Sequence, residues 1–478
     1  MSVDSSGQTG AGSREPAEAV VDALGLSVPT ASGATEPRAA TSLPGAPEGV
    51  SPWADPGLRE RLRSLQVRAF VLTWLSYASY YFARKNLAVT KTRLQDSLAL
   101  STTALGTIDT VYLVAYAIGQ FANGALGDRI GSRRLIAMGM LVSAGAALSF
   151  GLSAAYVPML IAWAVNGLFQ ASGWPGNVKA MQPFFGPDQR GRVMGLWTTN
   201  YQAGGLLATI AATWLLSHYG WRMAFIAPAL WVATMGVAVY LLLVEKPSER
   251  GLPSLNSPSA PSAPSASSPT PESDEGPSMG VLLRNPVLLM LGSSYFCLKL
   301  IRYSLLNWLP FYLQRQLHYS ESLAGYLSLP FEVGGIPGSI AIGWISDRFF
   351  RKRRLTLAAP ALVGLGGALL AYQTLGHLGM GWNIALLSAV GFLLFGPDSL
   401  LSGTMAQDIG GERATARVAG IINGMGSVGA TISPMLVAWG SQHYGWSKLF
   451  YGLVVVASLA GFLLYLAQVL LLRQARRG

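Results

Sequence analysis

The chain has 478 residues, of which 51% are hydrophobic and only 12% are charged. Soluble domains have about a quarter of their residues charged, so this composition excludes an ordinary soluble protein and predicts a membrane protein. The net charge of +11 would suit a nucleic-acid-binding protein. The basic residues, however, cluster in short segments between apolar runs, where such residues set membrane topology, and we expect no nucleic-acid partner.

Five segments follow one another along the chain. Residues 1–62 are predicted to be a disordered cytoplasmic tail, without the basic start and short apolar core of a cleavable signal. Two halves at 63–245 and 284–472 flank a Pro/Ser-rich cytoplasmic linker at 246–283, and a basic cytoplasmic tail occupies 473–478. The linker therefore divides the chain into two parts of similar size.

Apolar runs of about 20 residues can cross a bilayer as helices. Twelve are predicted, six in each half: near 67–89, 104–127, 135–155, 156–183, 192–217, 222–244, 286–314, 322–346, 355–375, 381–407, 415–442 and 447–472. The side expected to face away from the cytoplasm has few basic residues, namely Lys91, Arg93, Arg222, Arg315 and Lys448. This bias predicts a multi-pass protein of the plasma (inner) membrane whose two termini are cytoplasmic and whose spans contact lipid.

Two arginines lie inside apolar runs, Arg84 in the first and Arg302 in the seventh. A charge near the middle of a bilayer costs about 2.5–3.5 kcal/mol on insertion scales, so both are expected to face the interior of the helix bundle. Tyr77 and Tyr81 precede Arg84 at helical spacing, and Lys299 precedes Arg302 by one turn. Each arginine therefore shares a predicted helical face with polar side chains.

The two halves repeat a short motif. Gly-x-x-x-Asp-Arg follows the second span with Asp128 and Arg129, and it follows the eighth span with Asp347 and Arg348. Parallel six-helix repeats around a central linker describe the major facilitator architecture, in which substrate sits near the midplane between the halves. We expect the two motif loops to act as a conformational latch that holds the outward-open state by binding helix ends.

Longer segments resemble one family within that architecture. YYFARKNLAVTKTRL around Arg84, LIRYSLLNWLPFYL around Arg302, NGLFQASGWPGNVKAMQPFF and IINGMGSVGA resemble the organophosphate:phosphate antiporters over about residues 66–470. The resemblance is closer to the eukaryotic sugar-phosphate exchangers than to the bacterial glycerol-3-phosphate transporters. It implies an all-α integral membrane protein, with twelve transmembrane helices in two pseudo-symmetric six-helix halves, that works as a monomer. It also implies exchange of hexose 6-phosphate, glycerol 3-phosphate or phosphoglycerate for inorganic phosphate.

Arginine chemistry supports the same function. A guanidinium group binds phosphate oxygens bidentately, as lysine does not, so Arg84 and Arg302 can together hold one phosphate. An empty site would leave both charges unneutralised during reorientation, which favours exchange over net transport. Alternatively, each arginine pairs with an internal carboxylate and only holds helices together. Glu332 and Asp109 are the obvious partners, and pairing with Glu332 in the empty state is compatible with transport.

Other candidate binding residues each have a structural alternative. Lys299 adds positive potential to the site, snorkels, or pairs with Glu332. Lys85 lies about 100° round the helix from Arg84 and is expected to point elsewhere. The remaining candidates are aromatic residues that either contact substrate or pack between helices, namely Tyr77, Tyr81, Tyr116 and Trp174.

Tyr201 and Asp398 depart from the family pattern. Tyr201 stands where bacterial relatives carry a histidine, which puts histidine-dependent recognition in doubt, although Tyr201 remains a candidate binding residue. Asp398 follows Gly396-Pro397 and adds a carboxylate that the pattern does not require. Selecting a substrate, pairing with Lys299 and contacting a helix near the membrane edge all remain open for Asp398.

No enzyme motif stands out. The sequence has no G-x-x-x-x-G-K-[ST], no H-E-x-x-H and a single cysteine, Cys297, so no metal, cofactor or catalytic residue is predicted. Two alternatives to phosphate exchange remain. One is a proton-coupled symporter of sugar acids or other organic anions, which needs a titrating carboxylate such as Asp109, Glu332 or Asp398. The other is a membrane sensor of sugar phosphates that signals through a partner.

Overall fold

The computed structural model describes residues 55–185, 193–194, 196–253, 279–350 and 353–475, and every regular element within them is helical. The α-helices are α1 (Pro56–Tyr80), α2 (Asn86–Leu98), α3 (Thr102–Ile130), α4 (Ser132–Leu152), α5 (Tyr156–Gln170), α6 (Gly173–Met181), α7 (Thr199–Tyr219), α8 (Met223–Leu242), α9 (Met279–Leu282), α10 (Pro286–Arg315), α11 (Glu321–Leu327), α12 (Leu329–Phe349), α13 (Leu355–Leu375), α14 (Met380–Ser399), α15 (Met405–His443) and α16 (Gly445–Ala475). Short 3₁₀ turns lie at Tyr81–Ala83, Gln182–Phe184, Pro247–Arg250 and Gly376–Leu378, and a π-helical turn lies at Leu400–Thr404.

Polar caps explain where several helices begin. The side chain of Ser101 accepts a hydrogen bond from the backbone N–H of Ala104 at 3.0 Å and starts α3, and Asn285 starts α10 in the same way. Asp55 caps α1, so the tail that we predicted to be disordered through residue 62 is already helical from Pro56. Most of the rest of that tail, and of the linker, lies outside the described residues.

The helices form two bundles with the same packing scheme. In the first half α3 packs on α5, α4 on α8 and α1 on α7. In the second half α12 packs on α14, α13 on α16 and α10 on α15. These pairs occupy equivalent places in the order of predicted spans, so the structure repeats after six spans, as the duplicated sequence motif indicates.

Several of the predicted spans are broken helices in the part of the chain that the structure describes. The first is interrupted by the 3₁₀ turn at Tyr81–Ala83, the fourth between Gln170 and Gly173, and the eighth at Ser328. Six helices in the described part are long and apolar enough to cross a membrane, at Ser132–Leu152, Met223–Leu242, Leu355–Leu378, Met380–Ser402, Val418–His443 and Gly445–Arg473. The count of twelve spans stays a prediction.

The halves meet tightly at one face of the molecule, here called the closed face, where α2 ends and α11 begins. An apolar cluster at this face contains Leu105 from the first half and Trp308 and Val437 from the second. Gly106 of α3 lies so close to α15 that an added Cβ would be 2.6 Å from the Cβ of Ala438. Polar contacts among the described residues also cross between the halves here, including Arg93 with Glu321 at 2.6 Å, Thr103 with Gln442 at 2.8 Å, and Arg315 with Asp96.

Candidate functional site

A cavity lies between the two halves at the level of the break in the first span. It encloses about 970 Å³ of space, including its open mouth. Its walls are rich in aromatic and charged side chains: Tyr81, Arg84, Lys85, Ala88, Asp109, Tyr112, Leu113, Tyr116, Trp163, Tyr201, Gln202, Arg302, Tyr303, Leu306, Asn307, Glu332 and Phe395.

Arg84 enters this cavity from the break between α1 and α2. Its backbone leaves the helical region, with φ −121° and ψ −40°, and this turns the side chain inward. The guanidinium lies 4.9 Å from the ring centre of Tyr81 and 5.0 Å from that of Tyr116, and Nε donates a hydrogen bond to Gln170 at 2.9 Å. Nη2 is buried and has no hydrogen-bond partner within the part of the chain that the structure describes. Arg84 therefore retains donor capacity for an anion.

Gln170 holds Arg84 in this orientation. Tyr112 donates a hydrogen bond to the same Oε1 atom at 3.0 Å, and Nε2 of Gln170 donates to the carbonyl of Tyr80 at 3.1 Å. Gly167 allows α5 to approach α3 closely, because an added Cβ would overlap the carbonyl oxygen of Tyr112. The position of the guanidinium thus depends on three neighbouring helical segments.

Arg302 enters from α10 in the second half and has a carboxylate partner. Its Nη1 donates to Asp398 at 2.6 Å, and its guanidinium lies 4.4 Å from the ring centre of Phe395. Lys299 forms an ion pair with the same carboxylate, with Nζ 3.3 Å from Oδ1. Asp398 thus contacts both Lys299 and Arg302 of α10. Pairing with Lys299 was one of the three possibilities that its sequence position left open.

The other two internal carboxylates also have lysine partners. Glu332 pairs with Lys85, which joins the second half to the first across the cavity. Asp109 pairs with Lys91, whose Nζ also donates to the carbonyl of Asn307 in the second half at 2.6 Å. The alternative in which Glu332 or Asp109 pairs with the arginines is therefore wrong for this structure.

Two lysines lie where the sequence interpretation did not place them. Lys91 was assigned to a membrane-flanking loop, but its side chain is 0% exposed inside the bundle, so that assignment is wrong. Lys85 was expected to point away from the site, and it lines the cavity beside Arg84. The causes differ. The break in the first span changes the direction of the Lys85 side chain, whereas Lys91 is buried because α2 continues to Leu98, beyond the predicted end of the span.

The cavity brings together most of the binding residues predicted from sequence. Arg84, Tyr81, Tyr116, Tyr201, Arg302 and Glu332 line it, and Lys299 lies behind Arg302 on Asp398. Tyr77 and Trp174 are not among the lining residues. Their rings pack against each other 5.7 Å apart, and both also contact Trp197. The helical spacing between Tyr77 and Arg84 does not put them on one face, because the helix ends at Tyr80.

Some cavity residues were not predicted. Tyr112, Tyr303, Asn307 and Phe395 line the wall without having been singled out. Tyr303 and Asn307 follow Arg302 at one and five positions along α10, about 100° and 140° round the helix, so helical spacing gave no signal for either. Tyr112 could have been found from its spacing of four residues to Tyr116 on α3.

The latch residues lie at the face opposite the closed face. Arg129 and Arg348 are exposed at the ends of α3 and α12. The side chains of Asp128 and Asp347 lie outside the described residues. The latch therefore stays a prediction.

The sequence model of the Major Facilitator Superfamily matches residues 73–434. The chain belongs to this superfamily. It is 31% identical to the glucose-6-phosphate exchanger of Mus musculus over 85% of this chain and 93% of that protein. It is 32% identical to putative glycerol-3-phosphate transporter 5 of Arabidopsis thaliana, covering 84% and 91%, and 30% identical to sugar phosphate exchanger 3 of Gallus gallus, covering 84% and 92%.

A solved structure supports the fold independently. A bacterial homologue of the human lysosomal transporter Spinster, in an inward-facing and occupied conformation, superposes with a TM-score of 0.69 at 15% identity over 83% of this chain and 96% of that one. The major facilitator fold is thus confirmed. The relatives include both sugar-phosphate exchangers and glycerol-3-phosphate transporters. The protein is an integral, multi-pass membrane protein.

Proposed function

We propose that this superfamily member is a secondary active transporter that exchanges a phosphorylated small metabolite for inorganic phosphate by alternating access. Hexose 6-phosphates, glycerol 3-phosphate and phosphoglycerates are the candidate metabolites. The relatives named above are exchangers or transporters of sugar phosphates and glycerol 3-phosphate, and they point to a transporter rather than an enzyme. We place it as a monomer in the plasma (inner) membrane, with both termini and the linker cytoplasmic.

One observation carries the proposal, namely that each half contributes one arginine to the same central cavity. Arg84 and Arg302 lie on equivalent spans of the repeat, and both line the wall. A single phosphate held by both would contact both halves at once. Because it binds the two halves together, it can bias the equilibrium between conformations, provided that it binds one arrangement better than another.

The two arginines would receive phosphate differently. Arg84 offers the unpartnered Nη2 on a guanidinium fixed by Gln170, so little reorganisation is needed. At Arg302 the phosphate would share or displace the carboxylate of Asp398. Charge-assisted hydrogen bonds to phosphate are stronger than neutral ones, and the bidentate geometry of arginine adds specificity.

The closed face gives the direction of access. With the predicted topology this face is extracytoplasmic, so the cavity would communicate with the cytoplasm in this state. Reorientation would open the contacts around Gly106 and Trp308 and close the opposite ends of the helices. The Asp128/Arg129 and Asp347/Arg348 loops would meet helix ends in that second state.

Transport assays on purified protein in phosphate-loaded liposomes test this function. We expect release of radiolabelled phosphate when glucose 6-phosphate, glycerol 3-phosphate or 3-phosphoglycerate is added outside. Arg84→Lys and Arg302→Lys should each reduce the rate by roughly 10- to 150-fold, because each loses charge-assisted contacts worth about 1.5–3 kcal/mol. Arg473→Lys is the matched control, since Arg473 is exposed at the end of α16.

Three results would argue against the proposal. Normal exchange in both arginine variants would show that Arg84 and Arg302 do not form the phosphate site. Proton-driven uptake of glucuronate without phosphate exchange would favour a symporter. Binding of sugar phosphate without any transport would favour a sensor.

A further inference from the structure

Asp398 is a carboxylate placed beside a site that we propose binds an anion. Its side chain is 12% exposed, and its two oxygens meet Arg302 at 2.6 Å and Lys299 at 3.3 Å. A fixed negative charge in this position weakens the binding of any anion at Arg302. Its presence therefore needs an explanation other than stronger phosphate binding.

The charges around the cavity explain the presence of Asp398. Among the described residues, five cations and three carboxylates belong to the cavity wall and its direct ion pairs: Arg84, Lys85, Lys91, Lys299 and Arg302, with Asp109, Glu332 and Asp398. Two positive charges are left uncompensated. One belongs to Arg84, and the other is shared by Lys299 and Arg302, which have a single carboxylate between them.

We infer that Asp398 sets the charge of the accepted substrate and makes the site selective for phosphate monoesters that carry no further acidic group. The inference rests on the proposed function. A phosphate monoester carries about −1.5 to −2 at pH 7, which matches the two uncompensated charges. A phosphoglycerate carries an additional carboxylate, which would enter the cavity with no cation left for it. Burying an unpaired charge is strongly unfavourable.

The position of Asp398 makes its charge separable from its structural role. Phe395 lies one turn earlier on α14 and stacks on Arg302, so the guanidinium has a second contact on the same helix. Asparagine keeps an oxygen acceptor for Arg302 and has nearly the same shape as aspartate. Asp398→Asn therefore removes a charge while leaving the packing of α14 against α10 nearly unchanged.

The test compares glycerol 3-phosphate with 3-phosphoglycerate, two substrates of similar size that differ by one carboxylate. For each variant, phosphate exchange in liposomes at pH 7.5 gives kcat/KM, and displacement of radiolabelled phosphate from detergent-purified protein gives affinity. Asp398→Asn should raise the preference for 3-phosphoglycerate over glycerol 3-phosphate about tenfold, or about 1.4 kcal/mol. Lys299→Gln should lower the same ratio, and the double variant should return it close to the wild-type value.

Controls separate charge from folding and from the proposed function. Glu249→Gln removes an exposed carboxylate outside the cavity and should leave the ratio unchanged. A ratio that does not move in Asp398→Asn, or in Lys299→Gln if Asp398→Asn fails to fold, overturns the inference while exchange itself stands. A shifted binding ratio without exchange in any variant overturns the proposed function and supports the role of Asp398.

Discussion

At the scale of single residues, Lys91 shows how a buried charge can serve both halves. Its ammonium pairs with Asp109, donates to the carbonyl of Asn307 and lies 3.9 Å from the ring centre of Trp308. The lysine is entirely buried, so these three groups rather than bulk water stabilise its charge. Lys91 therefore joins the first half to α10 beside the closed face.

Removing one member of this pair should be costly. Lys91→Met leaves Asp109 buried without its partner, and we expect a loss of about 3–5 kcal/mol in the free energy of unfolding. Lys91→Met combined with Asp109→Asn should recover part of that loss, because no unpaired charge remains. Thermal unfolding of the detergent-purified proteins measures both effects. Equal stability of the wild type and Lys91→Met would contradict this account.

The charged side chains also show which parts of the site could be predicted from the sequence. Arg84 and Arg302 were identifiable because a charge in an apolar run is expensive and so needs an interior role. The partner of Asp398 could only be offered as one of several possibilities, since a sequence pattern does not reveal which helices meet. The misplacement of Lys91 has a simpler cause, because a lysine near the end of an apolar run has the pattern of a flanking charge.

At the scale of elements, helix breaks determine what faces the cavity. The first span ends as α-helix at Tyr80 and resumes at Asn86, and Arg84 and Lys85 both lie in the interval. Helical periodicity fails across this interval, because it assumes constant rotation per residue. Because of the break, Tyr77 packs against Trp174 and Lys85 lines the cavity, and helical periodicity predicts neither position.

Gly106 offers a test of how elements control the conformation. It lies where α3 meets α15, and a Cβ there would be 2.6 Å from Ala438 Cβ and 3.0 Å from the carbonyl oxygen of Pro434. We expect Gly106→Val to prevent this close approach and to shift the population away from the closed-face arrangement. Gly145→Ala is the control, because nothing lies within 4 Å of a Cβ at that position in α4.

Spin labels can report that shift. Cysteines introduced at Ala154 and Leu378 lie in exposed positions at the closed face, one in each half, and the native Cys297 is buried. Electron–electron distance measurements should show a longer separation in Gly106→Val and an unchanged one in Gly145→Ala. The same distance distribution in both variants would mean that the contact between α3 and α15 does not set the closure.

At the scale of the whole molecule, the two halves repeat in architecture but differ in charge. The arginine of the first half is held by a neutral amide, Gln170, and that of the second half by the carboxylate of Asp398. The repeat in the sequence predicted the common architecture. It could not predict this difference, because the holding residues lie on helices whose local sequences have diverged, α5 and α14.

The net charge of the whole site makes a prediction about membrane potential. With a phosphate dianion bound, the two uncompensated positive charges are neutralised, so loaded reorientation should move little charge. The empty carrier would reorient with both charges unneutralised, at up to about 2.3 kcal/mol per charge per 100 mV. We therefore expect phosphate exchange in liposomes to be insensitive to an imposed potassium diffusion potential of about 100 mV. Net phosphate efflux into substrate-free medium should be slower by a factor of about 100, a barrier difference of roughly 2.7 kcal/mol.

The same measurement on Asp398→Asn tests the charge balance of the occupied site. This variant has one more uncompensated positive charge, so a bound dianion no longer neutralises the site, and exchange of phosphate should become sensitive to the potential. Glu249→Gln loses a carboxylate outside the cavity and should behave as the wild type does. If wild-type exchange responds to the potential as strongly as Asp398→Asn does, the charge of the occupied site is not zero. Balance between substrate and protein charge would then not be the reason that the carrier prefers exchange.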